Sequence, residues 1–92
     1  MATPLLKRGL VYDTAVERNP AALRTCRQYL HWVQRSVFEG DLSAAQHRSL
    51  FAALRQQLDL SYDSVRVYRM GSPHLVEVET LGAELGHPDS VL

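Results

Sequence analysis

The run Val33-Gln34-Arg35-Ser36-Val37-Phe38-Glu39-Gly40-Asp41-Leu42 decides the fold. Val33, Val37 and Phe38 are β-branched or aromatic, types that favour extended backbone. It runs through Gly40 into Ser43-Ala44-Ala45-Gln46, a Ser-x-x-Gln capping box that opens a helix. Extended backwards to His31, the segment covers twelve residues, long for one strand. A bent or hairpin-like pair broken near Arg35-Ser36 is the expectation. Upstream, Leu10-Val11-Tyr12-Asp13 is a second apolar run, closed by a single carboxylate. A carboxylate at the exit of a buried strand is a place for chemistry. The strand fixes its position and the loop beyond gives access.

The remaining segments fill the pattern outward. Leu6 to Asp13 reads as the first strand. Lys7 and Arg8 interrupt it, so its secure part is Gly9 to Asp13. Asn19-Pro20 reads as a helix cap followed by Pro at the first helical position. That helix is predicted from Ala21 to about Tyr29 or Leu30, with Ala22, Leu23, Cys26, Tyr29 and Leu30 at helical spacing. The second helix carries Leu50, Phe51, Leu54 and Leu58 on one face, with His47, Arg48, Arg55 and Gln56 placed off it. Leu60 to Asp63 reads as a turn and Ser64 to Met70 as a strand. Gly71-Ser72-Pro73 breaks that strand, and Leu75 to Leu81 alternates again.

The order is β, α, β, β, α, β and an added β. This is the split βαβ pattern of an α+β, ferredoxin-like domain with an extra C-terminal strand. The domain is expected over residues 1–81, with residues 82–92 as an irregular tail. Both helices would cover one sheet face. The opposite face would expose Val, Tyr and Phe side chains, and a second copy of the chain is the economical cover. A homodimer is therefore expected.

Ninety-two residues make one domain with little spare stability. No apolar run approaches the ~20 residues of a membrane span, and the N-terminal order of two leucines before a basic pair is wrong for a signal peptide. The single Cys26 reads as a small packing residue, which suits a reducing cytoplasm. The net charge is zero, but it is unevenly spread. Residues 1–36 hold six basic residues against two acidic ones, and residues 71–92 hold four acidic and none basic. All but one of the basic residues are Arg, which suits bidentate phosphate contact. A polyanion site beside an acidic tail and a plain uneven scatter of charge are both open at this point.

The set Val-Tyr-Asp at the end of strand one, Val-Gln-x-Ser-Val-Phe-Glu-Gly-Asp-Leu after helix one, Gln57-Leu58-Asp59 and Asp63-Ser64-Val65-Arg66-Val67-Tyr68 resembles the CRISPR-associated protein 2 family. The form Tyr29-Leu30-His31-Trp32-Val33-Gln34 is similar to a branch associated with type I systems. The resemblance covers roughly Gly9 to Leu81. It implies a ferredoxin-like homodimer whose fifth strand packs on the partner's sheet. It also implies metal-dependent endonuclease activity on RNA or DNA in some members, with Mg²⁺ or another divalent cation. A role in CRISPR spacer acquisition beside CRISPR-associated protein 1, the integrase, belongs to the same picture. The family's strand-end acid falls on Asp13, its hairpin Ser on Ser36 and its aromatic on Phe38. Thr14, Trp32 and Arg35 depart from the usual pattern, as do Lys7 and Arg8 inside strand one.

The residues allow a limited chemistry. Mg²⁺ keeps several waters and often takes only one or two protein carboxylates, a minimum that two copies of Asp13 would meet. Otherwise Asp13 is a turn acid. Ser36 is a phosphate ligand or a turn serine, since no base beside it would make it a nucleophile. Arg18, Arg24, Arg27 and Arg35 are candidate nucleic-acid contacts, with a solvated helix face as the alternative. Phe38 reads as core sooner than as a base-stacking platform. Three readings of Trp32 stand: base stacking, dimer packing and burial. The histidines lack the close pairing of a zinc site. Two function classes result: a metal-dependent endonuclease with paired Asp13, and a non-catalytic dimeric scaffold for duplex DNA and the integrase. A small-ligand dimer has no glycine-rich phosphate loop to support it.

Overall fold

The computed structural model describes residues 5–72 and 75–83. Strand β1 spans Leu6–Asp13 and alternates strictly: Arg8, Leu10 and Tyr12 are buried, while Lys7 and Asp13 are exposed. The strand therefore runs through the basic pair rather than starting after it. Arg8 points inward, where its guanidinium finds partners, and so does not break the pleat.

A short 3-10 turn, Val16–Arg18, leads into helix α1, Asn19–Arg27. Asn19 is itself helical rather than a cap. Its side-chain oxygen accepts the Thr14 hydroxyl, so it closes the preceding loop instead. The helix ends earlier than the apolar spacing suggested, because Gln28 and Tyr29 turn the chain back onto Thr25 and Cys26. Strands β2, His31–Gln34, and β3, Val37–Leu42, form the expected hairpin, with the break at Arg35-Ser36. Helix α2 spans Ala44–Gln57, and both hydrogen bonds of its Ser43/Gln46 capping box are present. Strands β4, Ser64–Ser72, and β5, Leu75–Gly82, complete the chain.

The five strands are ordered β2-β3-β1-β4-β5, and all four pairings are antiparallel. β5 pairs with β4 of its own chain, from Ser64↔Gly82 to Met70↔Val76. Only residues 73–74 separate the two strands, and so short a connection favours antiparallel pairing of neighbours. Beyond Ala83, the predicted tail lies outside the described residues.

Leu10, Phe38, Leu42, Leu50, Leu54, Val65 and Val67 form the centre of a single core between the sheet and the two helices. On the other side of the sheet, Val11, Tyr68 and Met70 are only half-buried and Val76 and Val78 are exposed. Val78 lies opposite Tyr68, and Val76 opposite Met70, so these side chains form an apolar patch. No element of the chain covers it among the described residues.

Candidate active site

Alternation along β1 decides where Asp13 goes. Leu10 and Tyr12 enter the core, so Asp13 falls on the parity of Val11, toward the uncovered sheet face, and is exposed at the strand's end. β1 is flanked by β3 and β4, and Asp13 is opposite Ser64 in that register. The carboxylate is thus held by the most constrained strand of the sheet.

An open cleft of about 560 Å³ lies at this strand end, lined by Tyr12, Asp13, Thr14, Asn19, Pro20, Leu23, Arg35 and Ser36. Three residues picked out from the sequence, Asp13, Arg35 and Ser36, come together here from two distant segments. The Tyr12 backbone N–H donates to the Ser36 carbonyl at 3.2 Å, which ties the β2–β3 turn to the end of β1. Arg35 is exposed and has φ of 47°, the left-handed region that a side-chain-bearing residue rarely adopts. The only tryptophan, Trp32, braces this turn by donating its indole N–H to the Arg35 carbonyl at 2.8 Å. Trp32 is 54% exposed, whereas Phe38, its cross-strand partner, is fully buried. Phe38 is core, as expected, and burial of Trp32 does not occur in the single chain.

The other arginines separate. Arg24 and Arg27 are exposed on α1 and do not line the cleft. Arg18 is held by Asp63, its Nε and Nη2 both donating to that carboxylate, the latter at 3.1 Å. Its guanidinium also lies 6.0 Å from the Tyr62 ring centroid. The pairing holds the guanidinium above its ordinary pKa, chiefly through the hydrogen bond to Asp63.

Asp63 is the residue that sequence reasoning missed. Its sequence context reads as a turn, yet it is 0% exposed. Its carboxylate accepts the backbone N–H of Ala15 and of Asp59, each at 2.9 Å, besides the two bonds from Arg18. Burial acts to raise its pKa, but these donors prevail and hold it below the usual carboxylate range. The result fixes the loop that leaves Asp13. The basic Arg18 opposite an acid would have been a signal only if their contact across 45 residues were known.

A second buried network joins β1, α2 and β5. Arg8 Nε donates to Nδ1 of His47 at 2.9 Å, and the opposite ring nitrogen lies 3.2 Å from Glu79. His47 is 7% exposed and Arg8 2%, which corrects the placement of His47 off the buried face of α2. With Nδ1 accepting, Nε2 carries the proton and donates to Glu79. Burial pushes the His47 pKa down, and the attraction of Glu79 only partly opposes this. Cys26 is fully buried and its thiol is pushed up to about 12 by burial, so it is inert packing.

Among the described residues no group of three or more His, Cys, Asp or Glu is placed to hold a metal ion. A single chain offers Asp13 alone at the cleft. Mg²⁺ often takes only one or two protein carboxylates, a number that this exposed carboxylate would reach only together with a second copy of the chain. No helix among the described residues is long and apolar enough to cross a membrane.

Known proteins resemble this chain in sequence and fold. The family model described as CRISPR associated protein Cas2 matches residues 9–78. The protein named CRISPR-associated endoribonuclease Cas2 from Frankia alni is 75% identical over 83 residues, covering 90% of this chain and 95% of that one. Its namesake from Thermotoga maritima is 42% identical, covering 84% and 88% respectively. A solved structure described as Cas2 superimposes with a TM-score of 0.70 at 29% identity and covers 97% of this chain and all of the other. With the family model spanning most of the domain and relatives of this identity covering nearly the whole chain, the chain belongs to the CRISPR-associated protein Cas2 family.

Proposed function

We propose that this protein is a divalent-metal-dependent endonuclease, acting on RNA in preference to DNA, whose working unit is a homodimer with two copies of Asp13. The observation that carries this reading is the cleft where Asp13, Arg35 and Ser36 meet. The endoribonuclease name of the Frankia alni and Thermotoga maritima relatives supports the substrate class. The uncovered apolar face supports the dimer, because a second copy would remove it from water. Cytoplasmic action in CRISPR spacer acquisition, alongside CRISPR-associated protein 1, belongs to the same proposal.

In this mechanism the chain's own groups position the substrate. Arg35 offers donors to a non-bridging phosphate oxygen, in the fork geometry that guanidinium presents. The Ser36 hydroxyl donates a further hydrogen bond. Asp13 and its counterpart in the second copy would hold the divalent ion. When bound, that ion would polarise the phosphoryl group and acidify a water. One chain supplies one carboxylate at the cleft, so each copy alone is an incomplete site.

Asp13→Asn tests the proposal. The variant should lose Mg²⁺-dependent cleavage of single-stranded RNA by at least about a hundredfold, and EDTA should remove wild-type cleavage equally. Equal cutting by Asp13→Asn and wild type would refute it. A second reading, a non-catalytic dimeric scaffold that holds duplex DNA and the integrase, is favoured by the single acid per chain at the cleft. On that reading spacer acquisition in cells survives Asp13→Asn.

A further inference from the structure

Trp32 combines features that its packing does not explain. It is the only tryptophan of the chain, more than half exposed, on an edge strand whose four residues are all exposed. Such a ring keeps apolar surface in water that a buried ring would withdraw. Yet it is not loose. Its N–H donates to the Arg35 carbonyl at 2.8 Å, so the indole is anchored at one edge while much of its surface stays open. The residue it anchors, Arg35, lines the cleft beside Asp13 and Ser36. In the cross-strand register Trp32 lies opposite Phe38, on the side of the sheet that the helices cover, but beyond the edge of that cover.

We infer that Trp32 is a stacking platform for an unpaired nucleobase, next to the nucleotide whose phosphate enters the Asp13–Arg35 cleft. The inference rests on the nuclease reading above and adds to it a requirement for single-stranded substrate. The chemistry follows from three facts. Every nucleobase presents a π-face, and indole is a good partner for it. The ring is already ordered in the free protein, so binding loses little side-chain freedom. The neighbouring cation, Arg35, supplies the phosphate contact that a stacked base alone lacks. A blunt duplex keeps its bases stacked on one another and offers no face to this ring. A partner protein docking on the same edge would bury Trp32 but would not respond to nucleobases.

Because Trp32 is the sole tryptophan, the intrinsic fluorescence of the full chain reports on this spot alone. The titrants are a short oligouridylate, the matching DNA strand, an abasic strand with the same phosphates and a blunt duplex, all in EDTA to prevent cleavage. Both base-bearing single strands should quench the emission to saturation, and the abasic strand and the duplex should bind more weakly. For the tryptophan-free variants binding is read by the anisotropy of end-labelled strands; Trp32→Ala should weaken the base-bearing strands roughly tenfold to a hundredfold and lower abasic binding no more than Trp32→Phe does. Trp32→Phe keeps a stacking ring but removes the N–H, and should retain most of the affinity. Arg35→Ala should lower the salt slope by about one for every strand.

Equal affinity for abasic and base-bearing strands, or preference for the duplex, would overturn the inference. So would a loss in Trp32→Phe as large as that in Trp32→Ala, since the tryptophan would then only brace the turn. If Arg35→Ala weakens binding while Trp32→Ala does not, the nuclease reading stands and only the stacking platform fails. If no strand binds the wild-type chain, both fail.

Discussion

The carboxylate of Asp63 accepts the backbone N–H of Ala15 at 2.9 Å, so the loop that leaves the candidate catalytic acid is held from the opposite side of β1's sequence neighbours. Ala15 lies two residues beyond Asp13, and Asp63 one residue before the partner of Asp13 in β4. Removing this contact should disturb both stability and the cleft. Asp63→Asn keeps the shape but loses charge and acceptor capacity toward four donors, and is expected to cost about 2–3 kcal/mol in urea unfolding.

The same carboxylate gives a pH prediction. Its folded pKa is depressed below 3.8, so its contribution is present in full above that value and is lost as pH falls through the folded pKa. Acid unfolding monitored by circular dichroism should therefore show a steeper loss below about pH 4 in the wild type than in Asp63→Asn.

His47 predicts a second window at higher pH. Burial depresses its pKa below 6.5, so the unfolded chain binds the proton more readily than the folded one. Stability is then full above 6.5 and declines as pH falls below it, because protonation at Nδ1 opposes the Arg8 donor; Arg8 and Arg69 repel the new charge while Glu79 attracts it. Denaturation midpoints between about pH 7.5 and pH 5 should fall for the wild type and stay flatter for His47→Gln.

Arg35 separates stability from function. A non-glycine residue at φ of 47° carries strain that Gly would relieve, less the extra freedom Gly gains when unfolded. Arg35→Gly is expected to be stabilising by up to about 1 kcal/mol and to bind nucleic acid more weakly. Thermal melts and filter binding on one preparation would check both signs.

Gly82 marks the end of β5, with φ of 97°. A Cβ there would lie 2.2 Å from the Asp63 carbonyl oxygen, which also accepts the Ala83 N–H at 3.0 Å. Gly82→Ala should cost more than about 2 kcal/mol, measurable as a lowered melting temperature, and should loosen the end of β5 in hydrogen exchange.

Local signals carried much of this structure. The hairpin at Arg35-Ser36, the Ser43 capping box and the burial of Phe38 follow from residue type and period, because each is settled by neighbours in sequence. The Asp13–Ser36 juxtaposition follows once the hairpin is placed beside β1. What escaped were the buried polar residues. Arg8 reads as an interruption of the strand, His47 as lying off the buried face and Asp63 as a turn residue, because their burial is tolerable only with partners 32 to 45 residues away. Asn19 misled for the opposite reason: a strong cap signal was used by Thr14 across the loop, and the 3-10 turn took over the helix start.

The strict alternation of β1 makes the outward aim of Asp13 a matter of parity. Arg8, Leu10 and Tyr12 face the helices, and both flanking strands hold that register. Losing or gaining one residue between Lys7 and Tyr12 would send either the core set or the acid to the wrong side. Two compensating changes would restore both. The strand can therefore drift widely in composition during evolution while its length stays frozen, since the ruler that aims the acid counts residues and is nearly blind to which ones they are.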